Sequence, residues 1–238
     1  MPTGFQCIND YGVFQIDDTY KNIQLKTKTN VTSMTQVNTG SIPDGKIDYW
    51  YYDIVVTSAG NPVIAINGNT TQYVSVGSLN ISGGTWTFRV FSDVDADFTY
   101  YVFDNPTSSG SFGLEVRNSS NEVQYSSGLG PFRVTQKIVT PTLSGGTTTL
   151  PSGKTYAIVF ARPGYSSFGF SNPPPPCQDP PDPGSCEQYY YLGAAKLNGV
   201  TLTTDYFTWF QQARNDDQCG FMSGSDDQEL YVIDVTNL

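Results

Sequence analysis

The string Asp93-Val94-Asp95-Ala96-Asp97 is the strongest cation-binding pattern in the chain. Alternate carboxylates can converge on a hard cation such as Ca²⁺, which takes only oxygen ligands. A calcium loop also needs a glycine at its bend and a bidentate glutamate at its end, and neither follows here. An acidic turn is therefore the simpler expectation, and Asp93, Asp95 and Asp97 stand as a weak calcium candidate. No other metal site and no cofactor are expected. The chain has no histidine, so Ser-His-Asp and Cys-His catalysis and histidine-ligated metals are excluded. No Gly-x-Ser-x-Gly elbow occurs. Gly128-Leu129-Gly130-Pro131 lacks the further glycine and the lysine of a phosphate loop. Glycoside hydrolysis needs two carboxylates about 5–10 Å apart, and nothing singles out a pair among 22 acidic residues. The expectation is no catalytic residue and no enzyme.

The four cysteines, Cys7, Cys177, Cys186 and Cys219, contain no Cys-x-x-Cys pair, so the usual zinc and redox spacings fail. Cys7 reads as a small apolar strand residue. Cys177 and Cys186 bracket a short stiff loop that a disulfide can close, with Cys219 as the rival partner. Such a bond persists only outside a reducing cytosol.

Binding chemistry is better represented. There are 16 Tyr, 14 Phe and 3 Trp, clustered at 49–52, 100–101, 189–191 and 207–210. Consecutive residues of a strand face opposite ways, so each run must show a ring to solvent or a partner unless both faces are covered. Tyr and Trp join apolar area to a polar tip, which suits protein interfaces and sugar stacking. Residues 172–184 contain seven prolines (173–176, 180, 181 and 183). Such a segment cannot pair as a central strand and should form a stiff extended excursion. Tyr189, Tyr190, Tyr191, Trp209, Pro174 and Pro175 are accordingly the candidate interface or receptor-contact residues.

The elements that position these residues should be strands. Only 14% of residues are charged, against roughly a quarter in ordinary soluble domains, and Gly, Pro, Ser, Thr and Asn favour turns. Strands are expected at 47–56, 63–66, 72–76, 85–91 and 98–103. A second set is expected at 155–160, 167–170, 189–192, 206–210 and 230–235. Short strands separated by turn residues at this spacing predict a β-sandwich. The net charge of -10, without a basic cluster, argues against nucleic acid and anionic membranes as partners. No apolar run approaches a membrane span, and the first residues lack a signal-peptide core, so synthesis in a host cytoplasm is expected.

One hairpin is written twice, 109 residues apart. Gly4 to Asp17 lies over Gly113 to Ser126, Ile23 to Lys26 lies over Phe132 to Thr135, and Lys28 lies over Lys137. Both copies spell strand, Asn-initiated turn, strand, loop, strand in one register. The expectation is all-β, with two tandem β-sandwich-like domains from an internal duplication, an N-terminal one at 1–112 and a C-terminal one at 113–238 that carries the proline-rich loop 172–184.

The opening pattern, Gly-Phe-Gln-x-x-Asn-Asp-x-Gly-x-x-Gln-Ile-Asp at 4–17, resembles the start of small β-rich virion proteins from the tail-tip region of long-tailed bacteriophages. The echo at 113–127 is similar to the same hairpin. The resemblance implies a structural tail protein of tip, baseplate or fibre that works by binding. Implied partners are other tail proteins, a host-surface protein or glycan, and copies of itself within the particle. It brings no catalytic residues. A carbohydrate-binding or adhesin module, or a capsid decoration protein, is the alternative.

Overall fold

The computed structural model describes residues 7–8, 14–16, 21–38, 45–46, 48–57, 60–68, 72–108, 113–141, 144–171, 186–214 and 225–238. Every regular element among them is a strand. The first half holds β1 (Cys7–Ile8), β2 (Phe14–Ile16), β3 (Gln24–Val31), β4 (Thr35–Asn38) and β5 (Gly45–Lys46). It continues with β6 (Asp48–Thr57), β7 (Val63–Gly68), β8 (Val74–Ser82), β9 (Thr85–Ser92) and β10 (Phe98–Asp104). The second half holds β11 (Glu115–Arg117), β12 (Val123–Ser126), β13 (Val134–Thr140), β14 (Gly146–Thr149) and β15 (Tyr156–Arg162). It ends with β16 (Tyr165–Ser171), β17 (Cys186–Asn198), β18 (Thr201–Arg214), β19 (Ser225–Asp226) and β20 (Gln228–Asp234).

All strand pairs are antiparallel, as the short turns require. One sheet has the order β13-β20-β15-β7-β10-β3 and the other runs β14-β18-β17-β8-β9-β6-β4. Each sheet sends alternate side chains to the layer between them. Ile54, Ile64, Ile66, Val74, Val90 and Phe98 form one apolar core there, and Tyr156, Ile158, Leu197, Leu202, Leu230 and Val232 form another. Burying an aliphatic side chain of this size stabilises a fold by about 1.5–3 kcal/mol. The two cores are therefore the main source of cohesion. Both sheets continue across the 112/113 boundary, through the ladder pairs Ile66 with Ile158 and Val74 with Ala195.

The six-stranded sheet reads the same from either edge, with β3, β10 and β7 of one half answering β13, β20 and β15 of the other. The registers agree in detail. Tyr101 pairs Lys28 and Ala65, and Tyr231 pairs Lys137 and Val159. In both places the lysine ammonium lies over the tyrosine ring, at 5.5 and 5.9 Å. The sequence Tyr101-Val102-Phe103-Asp104 recurs as Tyr231-Val232-Ile233-Asp234. Hairpin β8–β9 likewise answers β17–β18. Ser82 pairs Thr85 and Ile81 pairs Trp86, as Asn198 pairs Thr201 and Leu197 pairs Leu202. Each turn opens on a glycine at positive φ, Gly83 at 57° and Gly199 at 59°, the conformation two-residue hairpins demand. Hairpins β1–β2 and β11–β12 share even a bulge at the same step, Cys7/Ile8 and Val116/Arg117. The halves are thus related by a pseudo-twofold axis.

A covering layer, which runs into the start of β3, lies on the outer face of the six-stranded sheet. Residues 21–25 run antiparallel to 130–133, with Leu25 N–H donating to Gly130 O (2.7 Å) and Phe132 N–H to Ile23 O (3.0 Å). Ile23, Leu25, Phe132 and Leu238 cover the face formed by Ala65, Tyr101, Phe103, Ala157 and Ile233. Gln24 fastens the β11–β12 hairpin to this layer. Its Nε2 donates to Ser126 O (2.6 Å) and Leu129 O (3.1 Å), and its Oε1 accepts from Ser126 N–H (2.9 Å). Gln24→Ala removes three hydrogen bonds to the backbone of Ser126 and Leu129. It should cost about 2–4 kcal/mol in urea unfolding, with hydrogen-exchange protection lost first in 115–126. Unchanged protection there would show that the clamp is dispensable.

The expected strands are present, several longer than expected. The strand expected at 189–192 extends over 186–198, and the one expected at 206–210 over 201–214. A Gly199-Val200 turn joins them into one long hairpin. The proline-rich segment, including Pro174 and Pro175, lies outside the described residues, as do Cys177 and Cys219.

Candidate interaction surface

The ten-stranded sheet does not stay flat. β18 pairs with β5 at Gln211–Lys46 and Gln212–Gly45, and β5 leads through one residue into β6, four strands from β18 in the sheet order. The sheet therefore rolls over on itself. Phe91, Leu192, Ala194 and Phe207 are buried inside the roll, with Tyr49, Tyr51 and Tyr73 packed against them. Tyr49 meets Phe91 edge-on at 5.4 Å. This answers the question posed by the run at 49–52. Tyr52 turns to the core, edge-on to Phe98 at 5.8 Å, while Tyr49 and Tyr51 turn into the roll. Both faces are covered.

Cations occupy the ring faces that remain. Arg89 Cζ sits 4.3 Å above Tyr51 while its Nε and Nη2 grip Asp53 at 2.7 Å each. The hydrogen bond to Asp53 raises the Arg89 pKa against the opposing effect of burial. Lys196 Nζ lies 4.3 Å above Tyr73. A sugar stacks on an open ring face, and these two faces are taken.

The candidates at 189–191 sit in the amino-terminal half of β17. That half pairs with β18 on one edge and with β16 on the other, Tyr189 with Phe168, Tyr190 with Ser167 and Tyr191 with Ser166. The three tyrosines thus form the central strand of a three-stranded arm, beyond the point where β8 leaves β17. Tyr190 and Tyr191 are half-buried, and Tyr190 lies 6.1 Å from the Tyr165 ring. Tyr190 pairs Phe210 and Tyr191 pairs Thr208, which leaves Trp209 as the extra residue of a β-bulge. Bulges re-aim a side chain and strengthen local twist. Cys186 opens β17, next to the proline-rich segment. The arm therefore gathers Tyr189, Tyr190, Tyr191 and Trp209 on neighbouring strands.

The acidic string takes a different place. Asp95 Oδ1 accepts the Met34 N–H at 2.7 Å, Gln72 spans the turn by bonding Asp95 O and Asp97 N–H, and Ala96 is fully buried. The carboxylates splay along a turn pinned to the core. Among the described residues no three His, Cys, Asp or Glu side chains form a group that could hold a metal ion.

Two buried carboxylates escaped sequence reading. Asp104 ends β10 and accepts N–H groups of Gly60 (3.0 Å), Asn61 (2.9 Å) and Asn105 (2.8 Å), with Lys26 Nζ at 3.6 Å. Asp234 ends β20 at the equivalent position and holds Thr236 N–H (3.0 Å) and Lys154 Nζ (2.9 Å). Burial pushes each carboxyl upward, but the donors outweigh it: Asp104 lies below the usual range and Asp234 falls to about 2. These are structural anchors, each tying a strand end to a loop. The repeated Tyr-Val-x-Asp sequence is the signal that could have found them.

Of the outer strands of the six-stranded sheet, β13 pairs among the described residues with β20 alone, whereas β3 pairs with β10 and, at Gln24, also with Pro131. Val134 and Val139 on β13 are each 50% exposed. Among the described residues no helix is long and apolar enough to cross a membrane. Comparison with protein-family models, with curated proteins and with solved structures finds no match.

Proposed function

We propose that this chain is a structural virion protein of a bacteriophage tail, in the tip, baseplate or fibre, made in the host cytoplasm and acting without catalysis by binding neighbouring proteins. Its outward role is attachment to the host surface. The observation that carries the reading is the three-stranded arm, which sets the 189–191 tyrosines and the Trp209 bulge on adjacent strands. Tyr and Trp on a stiff framework contribute contact area with little loss of conformational freedom. The β13 edge, paired among the described residues with β20 alone, supports it, since a free ladder edge is a template for a neighbouring strand. The occupied faces of Tyr51 and Tyr73 weigh against a glycan-stacking module at the roll.

Localisation in an imaged particle tests the reading directly. An antibody fragment against the chain should decorate the tail, whereas decoration of the capsid shell would replace the tail by the decoration alternative. For attachment, Tyr190→Ala in a folded protein should lower adsorption to host cells about tenfold, equal to about 1.4 kcal/mol. Adsorption equal to that of the parent would remove the arm from the contact.

A further inference from the structure

The pseudo-twofold axis lets one half serve as a control for the other at the outer end of each core. In the second half the apolar side chains at that end are buried, and the opening of about 230 Å³ beside them is rimmed by Asn67, Lys154 and Thr155 as well as Tyr156 and Leu197. Leu197 and Leu202, which face each other across the β17–β18 turn, are only 3% and 1% exposed. Leu150, just past β14, packs on them, and its N–H donates to Val200 O at 2.7 Å. Tyr156 packs beside them, fully buried, with its hydroxyl donating to Pro151 O at 2.8 Å.

Among the described residues the first half has the same frame without the cover. Ile81 and Trp86 occupy the positions of Leu197 and Leu202, yet Ile81 is 53% exposed, its neighbour Leu79 is 49% exposed and Trp86 is half-buried. Register explains the difference. Tyr156 pairs Asp234 in the second half, and the equivalent position beside Asp104 is Pro62. Thr149 pairs Thr201 as Thr57 pairs Thr85, so the residue answering Leu150 in sequence is Ser58. A tyrosine and a leucine have become a proline and a serine. An opening of about 170 Å³ lies alongside, lined by Pro62, Ile64, Val76, Phe88 and Phe160 among others. Trp86 stacks on Phe88 at 6.3 Å, so the opening and the exposed hairpin end form one apolar surface.

We propose that this surface binds an extended segment of a neighbouring protein that presents one leucine and one aromatic side chain, the pair that Leu150 and Tyr156 supply to the second half. Apolar area of this extent left open is unfavourable in water, and the fold itself contains the cover that fits it. The inference holds whichever particle the protein belongs to, since it rests on the comparison of the two halves.

A dye-labelled synthetic peptide spanning 147–156 (Thr-Thr-Thr-Leu-Pro-Ser-Gly-Lys-Thr-Tyr) tests it by fluorescence anisotropy against the full chain. Saturable binding is expected, weakened about tenfold or more by Ile81→Asp, a change at an exposed position that should leave the melting temperature in place. The same peptide with serine at both apolar positions should not bind. Absence of binding, equal binding of the two peptides, or equal binding by the Ile81→Asp protein would each overturn the proposal. So would concentration-dependent dimerisation that Ile81→Asp abolishes and the peptide does not inhibit, because the occupant would then be a second copy.

Discussion

Asp234→Ala lowers the free energy of unfolding at pH 7 by about 1–3 kcal/mol, because it leaves the Thr236 N–H without its acceptor and takes the partner from the solvent-exposed Lys154 ammonium. Asp234→Asn keeps the shape and one acceptor and costs less. The two variants also differ from the parent in acid. A carboxyl held at about 2 in the fold and near 4 when unfolded adds stability in full above the unfolded value. That stability is lost as pH falls from about 4 towards 2. Urea unfolding at pH 7 and near pH 2 should therefore show the Asp234→Asn penalty shrinking in acid, whereas a penalty of equal size at both pH values would deny the charge its role. Asp104 has the same sign of shift from a different donor set, three backbone N–H groups and Lys26. Occupying axis-related positions with no shared donors, the two carboxylates should contribute additively.

Gly193→Ala is expected to be the most disruptive single methyl in the chain. A Cβ at this position collides with the carbonyl oxygen of Pro163 and comes within 3.1 Å of Gln228 Nε2. The backbone there has no room to retreat. Gly193 O accepts from the buried Ser75 hydroxyl at 2.6 Å, and Gly193 N–H donates to Gly164 O at 3.1 Å. Gly193 thus holds β8 of one half and the β15–β16 connection of the other at once. Overpacking against backbone costs about 1–3 kcal/mol, and parting these hydrogen bonds adds about 1 kcal/mol each. Thermal unfolding should shift by well over the roughly 2–4 °C per kcal/mol of a domain this size. Ser75→Ala removes one bond without the collision and should cost about 1 kcal/mol. If Gly193→Ala is as mild as Ser75→Ala, the close approach is not tight.

How far the sequence reveals this architecture depends on the range of the cause. The β1–β2 and β11–β12 hairpins were legible because turn, alternation and spacing are local, and their shared 109-residue offset survives intact. The Tyr-Val-x-Asp echo at 101–104 and 231–234 was missed because insertions between the halves change its offset, so a single diagonal does not find it. Strand ends were misjudged at 193–198, where Gly193, Ala194, Ala195 and Lys196 carry little β-propensity and are held by pairing with β18. The run at 49–52 shows the limit for sites. Alternation assigns its faces correctly, but only the curvature of the whole sheet shows that the outer face is enclosed. Asp95 was read as a ligand candidate by type and spacing, while its partner, the Met34 N–H, is 61 residues away.

The pseudo-twofold axis also gives the molecule a direction. Two identical subunits around a true dyad present the same ends both ways and can only be met symmetrically. Here the two ends of the sandwich share a frame but differ in finish: at one Leu150 and Tyr156 bury the hairpin's leucines, and at the other Ile81 and Leu79 stand exposed. A neighbour approaching along that frame meets a head and a tail.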